Sequence, residues 1–427
     1  MKPKHQLVTR PQHERAILVK LVVRAARAPF VEPTEVDSLD ELAALADTAG
    51  AEVVDRLVQR ANGVNPATFI GKGKAEELAE ACRGFEAGVV IFDHDLSPAQ
   101  GRNLEQLTGV RVIDRTQLIL DIFARRARSH TARLQVELAQ LQYQLPRLRR
   151  LWTHLERIEG GIGLRGPGET QIETDRRMAR DRIGDLQREL ASIARRKSSQ
   201  VAQRSEYFSI ALVGYTNVGK TALMNALTGE TLFSEPRLFA TLDATTRKLK
   251  LPGGQRVLLT DTVGFIRDLP HNLVASFHAT LEEVREADLL VHVADAGMPE
   301  VAQQIQSVRG VLAELGCAES PLLLVLNKMD LPLATENFAA VTRDFGEAAA
   351  ISVHRREGLD ELARTLERKV HEQQVRLDLR IPAADGRTLA FVANRGTVLS
   401  REARDETIHV RAIIARREAG LLAKYAV

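Results

Sequence analysis

Residues Gly214, Tyr215, Thr216, Asn217, Val218, Gly219, Lys220 and Thr221 fit the pattern G-x-x-x-x-G-K-[ST]. A loop of this kind can bind phosphate. Its glycines let backbone N–H groups curl around an anion, and the helix behind it adds the positive end of its dipole. Lys220 can reach β- and γ-phosphates, and the Thr221 hydroxyl can ligate Mg²⁺. The apolar run Phe208-Ser209-Ile210-Ala211-Leu212-Val213 directly before the loop reads as a buried strand, and Ala222 to Leu227 reads as the helix. A chance Gly/Lys turn would have no reason to carry both flanks.

Further motifs follow in order. Val257 to Thr260 is a short apolar strand ending in Asp261-Thr262-Val263-Gly264. A carboxylate at such a strand end, opposite a phosphate loop, is placed to hold Mg²⁺ through water. The Gly264 amide falls where a γ-phosphate would arrive. Leu322 to Leu326 then ends in Asn327-Lys328-Met329-Asp330. The Asp330 carboxylate can accept from guanine N1–H and the 2-amino group, which adenine lacks, so the motif points to GTP and GDP. Ser352, Val353 and His354 fit a loop closing over the base, with Val353 where Ala is usual. Between the first two motifs, Phe239-Ala240-Thr241-Leu242-Asp243 reads as a switch that orders around a γ-phosphate and relaxes after hydrolysis. Thr241, Thr245 and Thr246 are rival candidates for the second Mg²⁺ ligand.

Phe265 stands where many GTPases place the Gln that orients the attacking water. A phenyl ring does no such work, so no catalytic side chain is assigned and intrinsic turnover is expected to be slow and partner-stimulated. Asn217 has two readings of equal standing, a K⁺ ligand or a stabiliser of the loop.

These residues need elements to hold them. A chain of 427 residues with 44% apolar content suits a multidomain protein with ordinary cores. Aromatics reach only 4%, so stacking platforms for single-stranded nucleic acid are few. Cys82 and Cys317 are far apart and build neither a disulfide framework nor a zinc cluster. No apolar run reaches membrane-spanning length. The expected setting is cytoplasmic, with membranes reached only through partners. The net charge of +3 is uneven: residues 111–210 carry 20 Lys/Arg against 12 Asp/Glu, a balance of +8, and 19 of those cations are Arg. Guanidinium groups favour bidentate phosphate contacts, so RNA becomes a candidate partner.

Strands are expected at 14–23, 52–59, 88–93 and 110–113. They alternate with helices at 38–49 (Ser38 as cap), 74–82 and 98–107, which implies a small parallel sheet. Asp93, His94 and Asp95 read as a solvated loop with Ser97 as a cap. From Arg115, Leu118, Ile119, Ile122 and Phe123, then Leu134 to Leu145, fit one long amphipathic helix ending near Pro146. Five of the eleven residues 159–169 are Gly, which argues for a loop. Thr170 to about Arg204 returns to helical spacing. Two long helices joined by that loop make an antiparallel hairpin with a slim, basic tip. Trp152 reads as helix packing.

The chain resembles the HflX family of ribosome-associated GTPases from about residue 12 to 370. Beyond the nucleotide motifs, the resemblance rests on three strings: Asn65 to Lys74, Phe92 to Gln100, and Val112 to Thr116. It rests most on Gly160-Gly161-Ile162-Gly163-Leu164-Arg165-Gly166-Pro167-Gly168-Glu169-Thr170-Gln171. The resemblance places Thr241, rather than Thr245 or Thr246, as the second Mg²⁺ ligand; Ala244 departs from the family's Pro, which loosens the switch, and residues 371–427 match weakly. The resemblance implies an α/β chain in four parts. These are an N-terminal parallel α/β domain (1–114), a helical hairpin (115–205), a GTP-binding domain with a mixed sheet flanked by helices (206–370), and a small C-terminal α/β domain (371–427). It further implies binding at the large ribosomal subunit, with Gly160, Gly161, Arg165, Gly166 and Gly168 touching ribosomal RNA, and splitting of ribosomes under stress. Members of the family are also reported to bind ATP, and some to remodel RNA with it. Two other roles stay open, a nucleotide-gated assembly or silencing factor and an ATP-dependent RNA remodeller. A monomer is expected, since no long unbroken heptad is present.

Overall fold

The computed structural model of the chain describes residues 14–23, 35–147, 167–203, 207–229, 238–239, 241, 243–267 and 278–427. Two compact units divide it, Met1–Ala127 with Arg133–Leu186, and Arg128–Ala132 with Gln187–Val427.

In the first unit β1 (Glu14–Val23), β2 (Ala51–Ala61), β3 (Val89–Phe92) and β4 (Arg111–Asp114) form a wholly parallel sheet in the order β2-β1-β3-β4. Ala16 to Val19 are all buried, as a central strand covered on both faces requires. Helices α1 (Glu35–Thr48), α2 (Lys72–Gly84) and α3 (Pro98–Thr108) make the crossovers. Ile17, Val19, Leu57, Ile70, Leu78, Phe92 and Leu104 share one core. Ser38 lies inside α1 and does not cap it. Glu35 and Asp37 allow the earlier start, since acidic residues favour a helix N-terminus. Ser97 caps α3: its hydroxyl accepts from Gln100 N–H at 3.2 Å, and the Gln100 side chain accepts from Ser97 N–H at 2.9 Å. Asp93 is buried rather than solvated, while Asp95 stays exposed as the loop reading has it. Arg115 donates to Asp93 at 2.8 Å and also to Glu41, and Thr116 donates to Asp95 at 2.5 Å.

The single long helix expected from Arg115 is two, α4 (Arg115–Arg126) and α5 (His130–Gln144). Ser129 causes the break: its hydroxyl accepts from Ala132 N–H at 3.0 Å and so caps α5. Asp114, at the end of β4, organises the region. It accepts from Gln117 N–H (2.9 Å), Leu96 N–H (3.2 Å), the Tyr143 hydroxyl (2.7 Å) and Arg147 (2.8 Å), and Arg147 stacks 3.5 Å over the Tyr143 ring.

Helix α6 (Pro167–Gln203) is 37 residues long. It runs antiparallel to α5, since Arg182 pairs with Glu137 at 2.7 Å and Glu189 with His130 at 3.7 Å. The Gly-rich loop expected to extend to residue 169 stops short, because Gly168 sits in the first turn of α6. Pro167 explains this, being preorganised for a first helical position where its missing N–H costs nothing. Gly160, Gly161, Arg165, Gly166 and Trp152 lie outside the described residues.

In the second unit a six-stranded sheet has the order β10-β9-β8-β5-β7-β6. Its strands are β5 (Phe208–Gly214), β6 (Thr245–Lys250), β7 (Arg256–Asp261), β8 (Leu289–Asp295), β9 (Leu322–Asn327) and β10 (Ala348–Ala350). Only β6 runs antiparallel to its neighbour. Helices α7 (Lys220–Thr228), α8 (His278–Arg285), α9 (Val301–Glu314), α10 (Ala334–Phe345) and α11 (Leu359–Glu372) accompany it. Central β5 and β8 are almost wholly apolar and buried, as strands covered on both faces must be. Residues 374–427 add β11 (Gln374–Pro382), β12 (Gly396–Arg404) and β13 (Thr407–Ala415). They form an antiparallel sheet ordered β11-β13-β12, with α12 (Gly386–Arg395) and α13 (Arg416–Leu422). Leu379, Ile381, Val392, Val410 and Ile414 are its core.

The Asp114 hub makes a stability prediction. Asp114→Ala removes the cap of α4 and strands the Tyr143 hydroxyl and the Arg147 guanidinium, so it should cost about 3 kcal/mol. A urea titration read by amide hydrogen exchange in α4 and β4 checks this. Exchange there should accelerate while β5 and β8 keep their protection.

Candidate functional site

Strand β5 delivers the chain into the phosphate loop, and α7 starts at Lys220. Gly219 has φ +97°, and a Cβ there would stand 2.5 Å from the Asn327 amide nitrogen. Glycine is therefore required both by the backbone and by the space. Asn217 takes φ +61°, is exposed and makes no side-chain hydrogen bond among the described residues. Asn tolerates this left-handed conformation better than most residues.

Lys220 is buried and donates to the carbonyls of Gly214 (3.1 Å) and Tyr215 (2.8 Å). Burial pushes its ammonium down to about 8, and the charge of Asp261 opposes this only in part. Burial likewise pushes the Asp261 carboxyl up, against Lys220 and the hydroxyls of Thr221 and Thr241. For both groups the loss of water outweighs their mutual attraction. Thr221 donates to Asp261 Oδ2 at 2.6 Å and Thr241 does so at 3.2 Å, and the two hydroxyls are 2.8 Å apart. Asp261 Oδ1 is buried with no hydrogen-bond partner. Three oxygen groups from separate segments thus converge beside an unsatisfied carboxylate oxygen. This all-oxygen set fits Mg²⁺ with phosphate and water completing the shell. Among the described residues no group of three His, Cys, Asp or Glu could hold a metal.

The rivals of Thr241 are engaged elsewhere. Thr245 opens β6, paired in register with Asp261, and the Thr246 hydroxyl lies 3.0 Å from that of Thr260. Phe239 is fully buried at φ +56°, and its N–H donates to the Thr216 hydroxyl at 2.8 Å. Ala240 and Leu242 lie outside the described residues. Thr262 donates to the Leu212 carbonyl at 2.6 Å, and Val263 is buried. A Cβ on Gly264 would come within 2.7 Å of the Thr216 Cα and 3.1 Å of Lys220 Nζ, so a bare backbone passes here. Phe265 is 3% exposed. Its N–H donates to Gly214 (3.0 Å) and its carbonyl accepts from Thr216 N–H (2.7 Å). The residue at the usual water-orienting position is a core pin on the phosphate loop.

At the other end, the Asn327 side chain donates to the Val218 carbonyl (2.9 Å) and accepts from Val353 N–H (3.1 Å), joining the base-side motif to the phosphate loop. Lys328, at φ +66°, pairs with Asp295 at 2.6 Å. Met329 N–H donates to the Ile351 carbonyl. The buried Ser352 hydroxyl donates to Asp330 at 2.6 Å and holds that carboxyl below the usual range. Val353 meets the rest through its backbone, so the absence of Ala there leaves this contact intact. His354 is exposed beside it. Two contributors were missed in the sequence. Asp295 ends a strand as Asp261 does, which was a usable signal. Ser129 N–H and Oγ both donate to Asp243, the former at 3.1 Å, across 114 residues of sequence. No motif links them.

Three family models match in sequence. They are a GTP-binding GTPase N-terminal region (residues 36–124), a GTP-binding GTPase middle region (126–204) and a 50S ribosome-binding GTPase domain (209–328). GTPase HflX of Caldanaerobacter subterraneus is 44% identical over 401 residues, 93% of this chain and 90% of the relative. The chain belongs to the HflX family of GTPases. GTPase HflX of Escherichia coli K12 is 44% identical over 380 residues, covering 88% of this chain and 87% of its own. A solved GTP-binding protein from Sulfolobus solfataricus, in complex with GDP, is similar at 26% identity and TM-score 0.42. That match covers 84% of this chain and 99% of that one. Hydrolysis of GTP is the activity of this HflX-family chain, and among the described residues no helix is long and apolar enough to cross a membrane.

The depressed ammonium of Lys220 has a measurable sign. Phosphate favours the charged form, so GDP affinity should fall as pH rises through about 8. Binding above that pH should take up about one proton per site. Titration calorimetry in two buffers of different ionisation enthalpy measures the uptake. Lys220 contributes none near pH 6.5, where any exchange belongs to the nucleotide's terminal phosphate.

Proposed function

We propose that this HflX-family GTPase binds the large ribosomal subunit and uses its GTP cycle to split or rescue stalled ribosomes under stress. The observation that carries the reading is the closure of Thr241 onto Thr221 and Asp261, with Lys220 beneath them. In this arrangement the switch meets the groups that would flank a γ-phosphate. Lys220 binds and neutralises the phosphates, Asp330 and Ser352 select guanine, and Thr221, Thr241 and Asp261 would hold Mg²⁺. When bound, Mg²⁺ spreads the charge that develops on the transferred phosphoryl group. Potassium beside Asn217 is a further candidate in the same role.

Phe265 leaves the attacking water without an orienting side chain at that position. A partner, a neighbouring loop or a bound cation therefore supplies it. The Arg-rich balance of residues 111–210 supports ribosomal RNA as the docking surface, and the match to a 50S ribosome-binding GTPase domain supports the large subunit. GTP holds the docking state through Thr241, and hydrolysis releases it.

Two experiments test this. Multiple-turnover GTP hydrolysis should be slow alone and rise at least about tenfold with large subunits, while sucrose gradients show 70S particles converted to subunits. Stable binding with no dissociation would favour an assembly or silencing factor, and fast hydrolysis by protein alone in sodium buffer would remove the partner requirement. In a competition of GTP, GDP and ATP, Asp330→Asn should lose most of the guanine preference, since each tenfold of selectivity is about 1.4 kcal/mol of hydrogen bonding to the base. Unchanged preference would free Asp330 of that role.

A further inference from the structure

We infer that Ser129 is a positioning residue for GTP hydrolysis, acting through Asp243 to hold the switch on the metal-binding side of the site. The inference rests on the GTPase reading and names a residue outside every nucleotide motif.

Thr241 and Asp243 are two residues apart, so their Cα atoms lie within about 7 Å. Thr241 is fastened by its hydroxyl to Thr221 and Asp261. Asp243 is fastened by its carboxylate, which accepts from both Ser129 N–H and Ser129 Oγ. The segment is therefore held at both ends, and upstream Phe239 N–H is tied to Thr216. Of these three ties, the one through Asp243 alone uses no group of the phosphate loop or the metal site. It can persist whether or not a γ-phosphate is present.

The consequence is entropic. A switch held at residue 243 has fewer conformations to lose when Thr241 engages a metal-bound γ-phosphate. Such a tether favours the triphosphate state, in which Thr241 is engaged, and leaves the diphosphate state nearly untouched. Ser129 is suited to the task because its hydroxyl works twice. It donates to Asp243 while accepting from Ala132 N–H at 3.0 Å as the cap of α5. Both atoms belong to the second unit, since residues 128–132 join it although they lie between α4 and α5. The Asp243 carboxylate also lies at the N-terminus of a 15-residue helix, where negative charge is favoured.

The test uses the full chain with Mg²⁺, fluorescent GDP and a fluorescent non-hydrolysable GTP analogue. Ser129→Ala should weaken analogue binding about three- to tenfold, the range of an ordinary net hydrogen bond, since Ser129 N–H still donates to Asp243 in the variant. It should slow single-turnover GTP hydrolysis by a similar factor and leave GDP affinity within about twofold. Ser129→Thr keeps the hydroxyl and should restore both. Asp243→Asn should act in the same direction, and the double variant should be no worse than the stronger single one. A lower thermal midpoint for Ser129→Ala with a wild-type ratio of analogue to GDP affinity would reduce Ser129 to a helix cap and overturn the inference. Additive losses in the double variant would overturn it too. Should Ser129→Ala not fold, Asp243→Asn and Ser129→Thr decide by the same ratio. Absence of GTP binding by the wild type would instead defeat the GTPase reading itself.

Discussion

Lys220 and Asp261 are a cation and a carboxylate buried together, yet each is pushed toward its neutral form. Their attraction does not repay the water both have lost. A phosphate chain and a divalent cation supply the missing partners, one for each. The surrounding architecture serves to keep the two groups dry and close. Strand β7 ends at Asp261 beside β5, which runs into the loop that carries Lys220, and the buried residues of β5 and β8 keep solvent from the strand ends.

Around that pair the loops are fixed mainly through the backbone. Phe265 locks to Gly214 and Thr216, Phe239 to Thr216, and Asn327 to Val218. A loop pinned by main-chain bonds tolerates variation in the side chains it carries, which is how phenylalanine can occupy the position where other GTPases have glutamine. Burying the ring at 265 couples the switch after β7 to the phosphate loop and gives up a polar group beside the reacting water.

Much of the site was legible because its motifs are local. A strand, a turn and a helix start within fifteen residues carry Lys220 and Thr221, Asp261 ends β7, and Asp330 lies in the turn just after β9. The alternating strands and helices of the first unit were legible for the same reason, as was the Ser97 cap. The failures are of two kinds. Helix ends were misjudged where a stronger signal lay nearby: Glu35 and Asp37 moved the start of α1, and Pro167 drew Gly168 into α6. Long-range side-chain contacts were invisible. Apolar spacing continues from α4 into α5, so periodicity could not reveal the break at Ser129. Nor could it show Asp243 as the distant acceptor of Ser129, or Asp295 as the partner of Lys328. Periodicity reports faces, and these contacts join chain segments whose spacing is set by tertiary structure alone.

Helix α6 is unusual in its length. Its 37 residues span about 55 Å at 1.5 Å per residue, and it ends five residues before the strand that feeds the phosphate loop. A helix of that length turns a small change of angle at one end into a large change of position at the other. Pivoting by about 10° at the Gln203 end would sweep the Pro167 end through about 10 Å, if the rise per residue is kept.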